Sequence, residues 1–102
     1  MNDLNVYAIG YVRNEIKSHT EILNESSYRK SCEFEFMSYS ISALKEILYR
    51  LERNKDISPI TILEDYIDQM KDYSCEEGKG SEMFLTACDV ARYILDEIIS
   101  WR

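Results

Sequence analysis

The sequence predicts an α+β fold, an N-terminal β-hairpin packed on three helices, on three observations. From residue 40 onward apolar side chains recur at intervals of three and four, the period of a helix with one buried face. Residues Leu4 to Val12 are rich in β-branched and aromatic side chains, with Tyr7, Ile9 and Tyr11 alternating against Val6, Ala8, Gly10 and Val12. Cys32 to Phe36 alternates more cleanly still, with Cys32, Phe34 and Phe36 on one side and Glu33 and Glu35 on the other.

Read as strands, these two segments form an antiparallel hairpin with a long connection. Val6, Ile9, Ile16 and Leu23 also fit a helical period, and a structureless loop of about 19 residues exceeds what compact domains usually hold. The competing reading therefore makes residues 5 to 23 a helix and the chain an all-α four-helix bundle.

The first of the three predicted helices runs from Ser40 to Asn54, with Ile41, Leu44, Ile47, Leu48 and Leu51 on one face. Asn54-Lys55-Asp56 interrupts it. Ser58-Pro59 opens the second, because a serine caps free backbone N–H groups and proline needs no hydrogen bond at the first helical position. Ile60, Leu63, Tyr66, Ile67, Met70 and Tyr73 form its apolar face, and it ends near Tyr73 or Ser74. Cys75 to Gly80 reads as a loop, and Ser81 with Glu82 starts the third helix. That helix carries Phe84, Cys88, Ala91, Leu95 and Ile98 in line, widened by Leu85, Ala87, Ile94 and Trp101. So broad a stripe marks the central element of a small bundle.

With three glycines, one proline, no repeat and no low-complexity stretch, residues 1–102 read as a single domain. The formal charge of −7 is concentrated in the second half, where residues 52 to 102 hold six basic against twelve acidic side chains. No basic cluster offers a phosphate backbone its counterions, so direct nucleic-acid binding is not expected. The same field favours a basic protein partner over an anionic membrane. Apolar runs are far short of the roughly 18 residues that cross a bilayer, and no signal peptide opens the chain. A cytoplasmic location follows as the expectation.

Chemical motifs are few. Cys32, Cys75 and Cys88 are odd in number, widely spaced and accompanied by a single histidine, which fits neither a disulfide framework nor a zinc site. Gly78-Lys79-Gly80-Ser81 lacks the early glycine and the preceding strand of a phosphate-binding loop, and Glu76 and Glu77 would repel phosphate. Asp65, Asp68 and Asp72 share one helical face, but no loop supplies the further oxygens a calcium or magnesium ion needs. His19 lies in a polar stretch without a nucleophile beside it, and no hydrolase signature is present. The expectation is therefore no enzyme, no catalytic residue, no cofactor and no metal.

What remains is an aromatic load of eight tyrosines, three phenylalanines and one tryptophan, more than a core of this size absorbs. Tyr39, Tyr49, Tyr93 and Trp101 fall off or at the margin of the apolar stripes and form the predicted contact patch. The expected function is a small acidic protein–protein interaction or regulatory module that forms a homodimer. The alternative is an acidic mimic of nucleic acid that occupies the basic groove of a DNA-binding protein, using Asp65, Asp68, Asp72, Glu76, Glu77 and Glu82.

Overall fold

The computed structural model describes residues 3–25, 33–76 and 81–101. It corrects the expected α+β fold: the described residues contain four helices and no strand. They are α1 (Asp3–Leu23), α2 (Glu33–Arg53), α3 (Pro59–Glu76) and α4 (Ser81–Trp101). The all-α bundle, the competing reading, fits.

The physical reason lies in which residues need burying together. As a strand, residues 4 to 12 would send Asn5 and Ile9 to one face and Ala8 and Val12 to the other. As a helix they bring Asn5, Ala8, Ile9 and Val12 to one side, and these four are the buried residues of α1. The tyrosines that suggested alternation, Tyr7 and Tyr11, are four residues apart and share a different helical face. In the second predicted strand nothing between Glu33 and Tyr39 breaks a helix, so the Ser40 stripe extends back seven residues to Glu33. Phe36, expected to face inward, is half-exposed on α2. Cys32 lies outside the described residues, as does most of the Cys75 to Gly80 loop with its Gly78-Lys79-Gly80 sequence.

The later helix starts agree with the sequence, while α3 runs on through Cys75 to Glu76, past the expected end near Tyr73 or Ser74. The Ser58 hydroxyl accepts the backbone N–H of Ile60 at 3.3 Å, and Pro59 is the first residue of α3. At the end of α2, the Asn54 side chain and backbone N–H both donate to the Arg50 carbonyl, at 2.8 and 3.1 Å. Those bonds occupy a carbonyl the helix itself leaves free.

All four helices contribute to one core. Val12, Leu44, Ile47, Leu51, Leu63, Ile94 and Ile98 are fully enclosed, each contributing about 1.5–3 kcal/mol by leaving water. Cys88 is a buried free thiol whose Sγ lies 3.7 Å from the Ile67 carbonyl oxygen, and burial pushes its pKa up. Leu95, which the sequence placed in the middle of the α4 stripe, is only partly covered.

Consecutive helices run antiparallel, but the bundle is not square. α1 packs chiefly on α2, α3 chiefly on α4, and α2 and α4 meet across the short diagonal. Small buried side chains, Ala43 on α2 and Ala87 and Ala91 on α4, suit this close approach. Two seams are left shallow as a result, α1 against α4 and α2 against α3.

Candidate functional site

The α1–α4 seam is closed at one end by aromatic rings. Tyr7 stacks on Trp101 with ring centres 4.6 Å apart and planes 11° from parallel. Tyr11 continues the row, 6.1 Å from Tyr7 and 6.4 Å from Tyr93. Burial, a hydrogen bond with Tyr93 and the negative fields of Glu15 and Glu97 all push the Tyr11 phenol well above its usual pKa. Despite the stacking, Tyr93 is 56% and Trp101 47% exposed. Val6 is 54% exposed on the outer side of α1, and Gly10 follows it one turn on. A Cβ built on Gly10 would meet nothing within 4 Å, so nothing in the packing of the described residues requires glycine there.

Beyond Tyr93 the seam widens into a cleft of about 430 Å³. Leu44, Val90 and Ile94 form its apolar floor, and Glu15, His19 and Asp89 stand around it. His19, read from sequence as a loop residue, is a half-buried member of α1. Its Nδ1 lies 2.7 Å from the Glu15 backbone carbonyl and 3.6 Å from a Glu15 carboxylate oxygen. A carbonyl oxygen only accepts, so Nδ1 carries a hydrogen and donates it to Glu15.

The α2–α3 seam holds a second groove, of about 330 Å³. Arg50 dominates it. Its guanidinium lies over the Tyr66 ring at 4.9 Å, and it donates to Glu46 at 3.1 Å and to the Gln69 side-chain oxygen. Gln69 in turn donates to the Tyr73 hydroxyl at 3.2 Å. Burial pushes the Tyr66 phenol up to about 12, against the opposing pull of Arg50. Held by Glu46 on its own helix and by Gln69 and Tyr66 on α3, Arg50 acts as a strut between α2 and α3.

The predicted contact patch is therefore divided. Tyr93 and Trp101 share the side of α4 that faces α1, whereas Tyr39 lines the α2–α3 groove. Tyr49 stands exposed near the end of α2, where Arg53 donates to its hydroxyl at 2.7 Å and lies over its ring. Sequence reasoning missed Tyr7, Tyr11, Glu15, His19 and Asp89. The signal available was the four-residue spacing of Tyr7, Tyr11, Glu15 and His19, which places all four along one edge of a helix.

Of the predicted acidic array, Asp65, Asp68 and Asp72 stand exposed with Glu64 along one side of α3, and Glu82 is exposed in the first turn of α4. The Glu76 side chain and Glu77 lie outside the described residues. Among the described residues no helix is long and apolar enough to cross a membrane. The chain matches no family model, no curated protein and no solved structure.

Proposed function

We propose that this chain is a non-enzymatic protein–protein interaction module of the cell interior that pairs with a second copy of itself through the α1–α4 face. The observation that carries the reading is the exposed aromatic row of that face, with Tyr93 and Trp101 each about half in water. Exposed apolar area of this kind marks association surfaces, and tyrosine and tryptophan are the side chains such surfaces favour. Gly10 adds support. A glycine inside a helix costs about 0.5–1 kcal/mol relative to alanine, and an approaching partner backbone gives a reason for it that the packing of the described residues does not. Two-fold pairing is the commonest closed assembly. An odd cysteine count with Cys88 held as a free thiol suits a reducing compartment.

Sedimentation at low and high salt tests this. A dimer at about 100 micromolar that persists in high salt is expected, because apolar contact is not screened. Trp101→Arg should leave the helical content intact and yield a monomer. A wild-type monomer at that concentration would refute the pairing.

The second reading, an acidic mimic of nucleic acid, draws support from the exposed row of Glu64, Asp65, Asp68 and Asp72 on α3. It predicts a monomer that captures a basic DNA-binding protein in a complex weakening steeply between low and physiological salt.

A further inference from the structure

We infer that the cleft between α1, α2 and α4 binds a small organic cation, a primary ammonium carried on an apolar alkyl or aryl body. This does not rest on self-association, although Tyr93 borders both the cleft and the aromatic row.

The size comes first. At about 430 Å³ the space falls within the range of small-molecule sites and exceeds what a water cluster or a bare ion fills. Its floor is hydrocarbon, from Leu44, Val90 and Ile94, so the occupant must bring an apolar body. Two carboxylates on different helices, Glu15 of α1 and Asp89 of α4, border the same space. Among the described residues no lysine or arginine lines it. His19 lines the same space, its Nδ1 held at the Glu15 carbonyl 2.7 Å away. Ser40 and Thr86 supply hydroxyls that donate or accept.

An anionic occupant would meet both carboxylates, and a neutral one would gain nothing from them. A cation satisfies them, and the Tyr93 ring at the border offers its face as well. Glu15, one of the two carboxylates concerned, also adds to the burial and the Tyr93 hydrogen bond that raise the Tyr11 phenol. The net charge of −7 would also concentrate cations near the surface.

The test uses three probes of one shape and different charge: phenethylammonium, phenethyl alcohol and 3-phenylpropionate. Each is titrated into the isotopically labelled protein while amide shifts are followed. Phenethylammonium should shift residues of the cleft on all three helices, and the alcohol should bind about tenfold more weakly, as loss of a charged hydrogen bond implies. The acid should not bind. Glu15→Gln with Asp89→Asn should reduce cation binding by about tenfold or more while the melting temperature holds. Val90→Trp fills the cleft without touching a carboxylate and should abolish binding. Equal binding of all three probes, unchanged binding by the double variant, or no cleft shifts at millimolar phenethylammonium would each overturn the inference. Sedimentation of the same samples reports separately on pairing.

Discussion

The side-chain amide of Asn5 donates to the backbone carbonyl of Lys55 across 3.1 Å, joining residues 50 apart in the chain. A second bond from the same nitrogen reaches the Ile57 carbonyl at 3.3 Å. Asn5 is 1% exposed, and the two carbonyls belong to the turn between α2 and α3, so a polar side chain in the core face of α1 secures a connection that crosses the end of the bundle. A buried amide in this position is stable because its hydrogens reach partners; an apolar residue of the same volume would strand the carbonyls.

Asn5→Ala should therefore lower unfolding stability by about 1–3 kcal/mol. Asn5→Asp keeps the shape but sets a carboxylate against two carbonyl oxygens, and should cost at least as much. Urea denaturation measures both. A loss below about 0.5 kcal/mol for either would show that the turn holds itself.

Core substitutions on α4 should rank by the observed burial rather than by position in the stripe. Ile94 and Ile98 are fully buried while Leu95 is only partly covered. Ile94→Ala and Ile98→Ala should each cost about 2–5 kcal/mol, and Leu95→Ala clearly less. A Leu95→Ala loss equal to the other two would contradict the packing of α4.

Gly10→Ala should give two opposed effects. The monomer gains about 0.5–1 kcal/mol, since the new methyl group meets open space and the unfolded chain loses freedom. Self-association weakens if a partner backbone approaches there. Thermal melts read the first and sedimentation the second; a stabilised variant that pairs as tightly as wild type would place Gly10 outside the contact.

The alkaline limit of the fold should depend on Tyr66. Its pKa is pushed up to about 12 in the folded chain, above the ordinary phenol value of about 10. A raised folded pKa means that the neutral phenol is the form the fold favours. Its contribution is complete below pH of about 10 and is lost as pH rises towards 12. Tyr66→Phe should remove one phenol from the late part of the phenolate absorbance titration, with Tyr11 remaining in it, and should flatten the decline of stability across that window. A loss from the ordinary part of the titration near pH of about 10 instead would mean that Tyr66 ionises with the exposed tyrosines.

How much of this was legible in the sequence varied with the kind of residue. Ser58-Pro59 marked its boundary because capping and proline act locally. Ile41, Leu44, Ile47 and Leu51 declared α2 by spacing alone, and all four are buried. α1 was harder to read because a core position is held by Asn5, whose partners are fifty residues away, while its β-forming tyrosines lie outside the core. Propensity favoured a strand there, and packing overrode it. The site was least legible. Whether Tyr39 and Tyr93 share a surface depends on which helices meet on the diagonal, and periodicity along one helix carries no such information.

The diagonal contact of α2 and α4 also divides the molecule in time. α1 with α2, and α3 with α4, are hairpins whose partners are neighbours in sequence, so each closes only a short loop to form. The α2–α4 seam joins one hairpin to the other and is the step that closes the longer span. Chains dominated by such local pairings fold in microseconds to milliseconds, and here the assembly step would be the meeting of two preformed halves along Ala43, Ala87 and Ala91. Enlarging any of these alanines should slow the joining of the halves more than the closing of either.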